Sequence, residues 1–448
     1  MMDTLIRGGT IVTPRTLFKA DIGIRDGIVA KLLAPGQACS ARQVIEADGL
    51  YVLPGLIDAH VHLREPGMTH KETIATGTQA AACGGVTTVL DMPNTLPPVV
   101  NAETVLDKGR LIGGRAQVDV GLYAALTPEA CQELTEIIES GVMGFKLFLG
   151  PTTGGLRAPE WGQLLDVFDV LAAYDLPVVV HAEEREIIEH RTVRAKEAGD
   201  GYHHLLASRP EFGELSATAV ICRLAGQTRA KVHIAHVSLA GAVEIIGEAK
   251  AAGWPVTAET CPPYLFLTED DFSTIGTPMK ILPPIRGQKD QDRLWQGLHA
   301  GVLDIIATDH APHLPEEKAT DIWNAPSGAP GVETLLPLML EAVHRGKCTL
   351  SDIVRWCCAR PAAIFGLHGK GHLRPGAWAD IVIVDPEKTW HIQNERLHNL
   401  ARSSPFVNWR GRGMPVVTLL RGQIVARDGE PMGEPTGRWL RSDRGHHH

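Results

Sequence analysis

The chain has 448 residues, room for two or three ordinary domains or for one large barrel with a small companion. Hydrophobic residues make up 44% and charged residues 21%, the proportions of a globular protein and not of a disordered or fibrous one. The net charge of −9 argues against a nucleic-acid binder, which presents a basic face.

No run of about 18 apolar residues occurs, so no membrane span is expected. The start, MMDTLIRGGTIVTP, lacks a charged segment followed by an apolar core and does not read as a signal peptide. The eight cysteines are scattered and none forms C-x-x-C, so neither a zinc ribbon nor a disulfide framework is expected. Such thiols fit a cytoplasmic protein. Residues 445–448, GHHH, read as the remnant of a purification tag.

In chain order, residues 1–53 read as short strands: LIRGGTIVTP, ADIGIRDGIVAKL and QVIEADGLYVL are β-rich runs broken by Gly and Asp. Residues 54–370 alternate apolar runs with helical stretches. VTTVLDMPN, VDVGLYAAL, GFKLFLG, LPVVVHAEE, AKVHIAHVS, WPVTAETCP and LDIIATDHAPH are the predicted strands; PEACQELTEIIESG and LAGAVEIIGEAKAAG are predicted helices. This alternation predicts an α/β fold with a parallel sheet, and about eight such units close into a (β/α)8 barrel. Residues 371–440 return to strand texture in ADIVIVDPE, TWHIQ and PVVTLLRGQIVARDGE. The two ends are thus expected to pair into one small sheet domain.

Chemistry-bearing residues end these apolar runs, where a barrel places its active site. His60 and His62 are two apart, so on a strand they share a face and suit a divalent metal; the alternative is a pair of core histidines. Lys146 sits inside the apolar GFKLFLG, where an unpaired ammonium is costly. It either snorkels to water at an edge or carries a carbamate formed with carbon dioxide, an anionic ligand able to bridge two metals. His181 ends LPVVVH. His233 and His236 are an odd number apart, so one of them is expected to look into the barrel. Asp309 ends the run IIATD and suits either a helix cap or a metal ligand that takes up a water proton. His310 and His313 follow in a loop. The order His-x-His, Lys, His, His, Asp, spread over separate strands, points to a metal site.

This order, together with PGLIDAHVHLREPG, TGTQAAACGGVTTVLDMPNT, GFKLFLG, HAEE, HVS, ATDHAPH and GHLRPGAWADIVIVD, resembles the amidohydrolase superfamily over nearly the whole chain. The closest likeness is to its cyclic amidohydrolases: dihydroorotase, allantoinase, hydantoinase and dihydropyrimidinase. The resemblance implies a (β/α)8 TIM barrel with a small β-sandwich built from both termini. It implies two divalent ions, with zinc the expected metal: His60, His62 and Asp309 on the more buried one, His181 and His236 on the other, and carbamylated Lys146 bridging them. A hydroxide shared by the metals would attack the carbonyl of a cyclic amide, with Asp309 passing its proton to the leaving nitrogen. The resemblance also implies a homo-oligomer, dimer or tetramer, acting on a small molecule.

For the ring, Arg64, Asn94 and His313 match the residues that hold the substrate carboxylate in dihydroorotases, and Arg offers a carboxylate a forked match. The segment 325–334 is also dihydroorotase-like. The resemblance therefore implies reversible interconversion of N-carbamoyl-L-aspartate and L-dihydroorotate, a step of pyrimidine biosynthesis. Other segments lean towards allantoinase and hydantoinase. ETCPPYL has Pro263 where those enzymes have His, YHHLLASRP has an allantoinase flavour, and KILPPIR has Leu282 where many dihydroorotases have an Asn that contacts the ring.

Two further classes are weighed. Some superfamily members are catalytically silent partner proteins that have lost their ligands; here the ligand set is intact. Metal-dependent phosphotriesterases and lactonases share the bridging lysine but lack the D-M-P-N-T and H-L-R-E-P-G combination. Gly84-Gly85 reads as a turn, 150–155 (GPTTGG) as a loop near the site, and Cys261 as a structural thiol.

Overall fold

Two successive strands, Tyr51–Pro54 and Leu56–Val61, belong to different sheets, and Gly55 marks the crossing. A Cβ at Gly55 would collide with the Thr87 side chain, so only glycine lets the chain pass there. The computed structural model describes residues 1–152 and 154–444; the tag-like 445–448 lie outside the described residues.

Leu56–Val61 opens the barrel. Parallel neighbours follow in chain order: Val86–Asp91, Asp119–Ala125, Gly144–Phe148, Val178–His181, Val232–Ile234, Val256–Thr260 and Ile305–Ile306. The circle closes where Val61 bridges His310 in parallel and the His62 N–H donates to His310 O at 2.7 Å. The first five strands are buried at every residue. That is why they read as continuous apolar runs rather than alternating ones: helices cover the outside and side chains fill the inside. Helix starts follow local chemistry. Thr73 caps Ile74–Cys83 and Asn101 caps Ala102–Arg110, each in a reciprocal capping box. The predicted helix in PEACQELTEIIESG is split into a 3₁₀ turn, Ala130–Gln132, and a short helix, Leu134–Glu139.

Both termini build two further sheets. One has the order Ile28–Leu33, Asp21–Arg25, Met2–Arg7, Ala41–Glu46. The other joins Thr10–Val12 and Tyr51–Pro54 to the long antiparallel pair Ile381–His391 and Arg410–Leu420. Ile6, Ile22 and Val29 from the first meet Ile11, Val52, Ile381 and Leu419 from the second in a separate apolar core, as expected when two sheets pack face to face.

The last described residues leave this sandwich. Trp439–Leu440 adds a parallel strand at the start of Asp119–Ala125, on the barrel end opposite the chemistry. Asp119 there is buried and accepts from Lys370 Nζ at 2.8 Å, Arg421 Nη1 at 2.7 Å and the Arg438 N–H at 2.9 Å. One carboxylate thus ties barrel, sandwich and C-terminal segment together. All eight cysteines are free. Among the described residues no helix is long and apolar enough to cross a membrane.

Candidate active site

At the carboxyl ends of the barrel strands, His60, His62, Lys146, His181, His236 and Asp309 line one cavity of about 390 Å³. Arg64, Asn94 and His313 line the same cavity, so all nine residues singled out in the sequence are brought together. Leu282 forms part of its wall, as do Pro151 and Thr152 of the GPTTGG loop; Thr153 lies outside the described residues.

His60 and His62 leave the end of Leu56–Val61 on one side and meet Asp309, and one donor atom from each of the three lies within 4.8 Å of the others. Asp309 Oδ1 is 3.1 Å from His62 Nε2 and 3.4 Å from His60 Nε2. Lys146 Nζ, fully buried in Gly144–Phe148, is 3.5 Å from His60 Nε2. His181 Nδ1 is 3.1 Å from His236 Nε2, and the His236 ring centre is 5.3 Å from that of His60.

Around these groups stands a set of partners that fixes their orientation. Glu259 Oε1 meets His60 Nδ1 at 2.5 Å, Asn94 Oδ1 meets His62 Nδ1 at 2.7 Å, and Glu183 Oε2 meets His181 Nε2 at 2.8 Å. Asp58 binds the Thr308 side chain at 2.5 Å and the Thr308 N–H at 3.0 Å, clamping the first strand to the segment that carries Asp309. Glu259, Glu183 and Asp58 were not singled out from the sequence. Glu259 carried the usable signal, since it also sits near the end of an apolar strand, Val256–Thr260.

The backbone departs from strand geometry at the site. Arg64, His236 and Asp309 have φ of 61°, 38° and 48°, left-handed values that cost a non-glycine residue on the order of 1–3 kcal/mol. Of His233 and His236, an odd number apart, only His236 lines the cavity, as expected. The strand ends at Ile234; His233 Nε2 lies 3.1 Å from Glu259, and the His236 backbone N–H donates to the same carboxylate at 3.3 Å. His310 is structural. Its Nδ1 accepts the Gly331 N–H at 3.1 Å.

Burial lowers the His62 pKa to about 3, and it also lowers His181 and holds His236 well below the ordinary range. These rings are neutral near pH 7, the state in which imidazole binds metals. Burial opposes the Asp309 charge, yet the histidines facing it keep its pKa well below the carboxylate range. Burial pushes Lys146 down to about 8, so a usable fraction of its amine is neutral and nucleophilic.

These contacts test whether the residues fit a cation. With Nδ1–H of neutral His62 given to Asn94 Oδ1, the Nε2 lone pair points at the Asp309 carboxylate, 3.1 Å away. With Nε2–H of His181 given to Glu183, its Nδ1 lone pair is bare towards His236. The His62 lone pair facing the Asp309 carboxylate in a buried site is satisfied by a cation, and the imidazole-rich donor set suits zinc. The residues fit the metals that the fold implies.

Arg64 is buried, its pKa lowered by burial to about 10, and among the described residues no carboxylate stands within ion-pair distance of it. Its Nε donates to Pro312 O at 3.3 Å and its Nη2 lies 3.1 Å from His313 Nε2. A cation so placed is a seat for an anion.

Residues 51–425 match the Amidohydrolase family, and the chain belongs to that family. It is 36% identical over 447 residues to the allantoinase of Rubrobacter xylanophilus, covering 99% of this chain and 98% of that one. It is 38% identical over 427 residues to the dihydroorotase of Bacillus cytotoxicus, covering 95% of this chain and 98% of that one. Among solved structures, the L-hydantoinase of Arthrobacter aurescens superposes with a TM-score of 0.96 at 33% identity, over 98% of this chain and all of the other. The protein is therefore a hydrolase of the cyclic amidohydrolase group, and the similar identities favour none of these rings over the others.

Proposed function

We propose that this protein is a binuclear metal hydrolase whose substrate is a cyclic amide bearing a carboxylate, with L-dihydroorotate the first candidate. The observation that carries this reading is Arg64, buried with no carboxylate in ion-pair contact among the described residues and opening on the same cavity as the histidine cluster. Asp309, Asp91, Glu317 and Glu72 act on that charge only at longer range; a neutral ring would leave it without a carboxylate in contact, whereas a substrate carboxylate would pair with it directly.

His60, His62, His181, His236 and Asp309, with Lys146 as its carbamate, would hold the two ions. When bound, the ions make a water acidic enough to ionise near neutral pH and polarise the ring carbonyl. Glu259, Asn94 and Glu183 keep the ligand nitrogens aimed inward. Arg64 and His313 hold the substrate carboxylate and so aim the ring. Asp309 takes a proton from the attacking water as the new carbon–oxygen bond forms. It returns that proton to the ring nitrogen as the carbon–nitrogen bond breaks. The reverse sequence closes N-carbamoyl-L-aspartate into the ring.

Leu282 favours a second reading. Its side chain offers a ring no hydrogen bond, so an allantoin or hydantoin ring, held by other contacts, is the alternative substrate. Turnover of L-dihydroorotate by zinc-loaded protein, abolished by a chelator and restored by zinc, supports the first reading. Turnover of uncharged rings alone supports the second.

A further inference from the structure

Lys71 lies in the turn after the metal-binding strand and lines the cavity beside Arg64 and His313. Its Nζ is 3.1 Å from His313 Nδ1 and is ion-paired to Glu317 Oε1 at 2.8 Å. Resting on the reading that the ring carries a carboxylate, we infer that Lys71 is a positioning residue: it fixes the tautomer of His313 and thereby keeps Arg64 free to bind that carboxylate.

Lys71 and Arg64 offer only hydrogens, one to each ring nitrogen of His313, and a neutral ring accepts at one of them; accepting at Nδ1 satisfies Lys71 and leaves Nε2–H for Ser327 O, so two contacts favour it against one. Glu317 does not compete, because its Oε2 is 3.8 Å from Nδ1 and already accepts the Leu314 N–H at 2.9 Å. Burial, with Arg64 and Lys71 alongside, lowers the His313 pKa to about 2, so the ring is neutral and carries one N–H. With Nδ1 accepting, that proton is on Nε2, where it donates to Ser327 O at 3.0 Å. Arg64 Nη2, 3.1 Å away, then faces a nitrogen that bears hydrogen rather than a lone pair. In this corner Ser327 O takes the Nε2 hydrogen, so the Arg64 Nη2 hydrogen beside it is left without a protein acceptor. A carboxylate oxygen completes this arrangement. In the other tautomer the Nε2 lone pair would take the Arg64 hydrogen and blunt the corner. A ring without a carboxylate does not engage these donors and is less sensitive to the tautomer.

Two measurements test this on the zinc-loaded protein. The first is the ratio of kcat/KM for L-dihydroorotate to that for unsubstituted hydantoin in wild type, Lys71→Met and Lys71→Arg. The ratio is expected to fall about tenfold or more in Lys71→Met, through KM for dihydroorotate, and to recover in Lys71→Arg. An equal loss on both rings overturns the inference. The second is long-range proton–nitrogen correlation of 15N-histidine-labelled protein, with His313 assigned by its disappearance in His313→Asn. The Nε2–H tautomer is expected in wild type and its loss in Lys71→Met; an Nδ1–H tautomer in wild type overturns the inference. Absence of dihydroorotate turnover by wild type overturns the substrate reading instead, and the nitrogen spectra then decide the tautomer alone.

Discussion

Glu259 and His60 form a buried pair, with Oε1 of the carboxylate 2.5 Å from Nδ1 of the imidazole. The other Glu259 oxygen is 3.1 Å from His233 Nε2. Because a carboxylate can only accept here, His60 must present Nε2 to Asp309 and Lys146. Replacing Glu259 by Gln keeps the volume but removes the charge. Metal affinity and kcat/KM are each expected to drop about 10–100-fold, as for other partners of metal-binding histidines. Metal titration and steady-state kinetics on the variant check this.

Lys146→Ala removes the proposed bridge. Metal content is expected to fall from two ions per chain to about one or fewer, with turnover lost. Short carboxylic acids, which place an oxygen anion in the vacated space, are expected to restore part of it. Elemental analysis and an acetate titration read both effects, and normal activity in this variant would rule out the bridged arrangement.

Arg64→Met keeps much of the apolar stem and deletes the charge. Turnover of dihydroorotate is expected to fall at least a hundredfold, about 2.7 kcal/mol, and turnover of a neutral hydantoin much less. Equal losses on the two rings would make Arg64 a structural residue.

Asp119, at the far end of the barrel, is a stability test. Burial works against its charge, but Lys370 and Arg421 hold its pKa below the usual value. Asp119→Asn leaves Arg421 without its carboxylate and Lys370 with Asp380 alone, and is expected to cost about 3 kcal/mol at pH 7. Because the folded pKa is lowered, this contribution is complete above the unfolded value of about 3.9 and fades as pH falls below it. Denaturant melts of wild type and variant are therefore expected to differ most near neutrality and to converge in acid.

The barrel was legible because its strands are buried on both faces and read as apolar runs ending in polar residues. The nine cavity residues were found by that rule or by motif likeness. What stayed hidden depends on contacts distant in sequence. Glu259 reaches His60 across 199 positions, and Asp119 reaches Lys370 across 251. Trp439–Leu440 is a two-residue strand whose partner lies some three hundred residues earlier, so local pattern carries no trace of it. Lys71 sits in a turn, where no periodicity assigns a side chain to a face.

The most direct test of the proposed function is a paired measurement of kcat/KM for L-dihydroorotate and for allantoin on zinc-loaded, bicarbonate-treated protein. A preference for dihydroorotate of about a hundredfold, some 2.7 kcal/mol of transition-state discrimination, is the expected result. It would place the buried Arg64 on a substrate carboxylate and show that Leu282 is tolerated. A preference for allantoin, or turnover of neither ring, would contradict it.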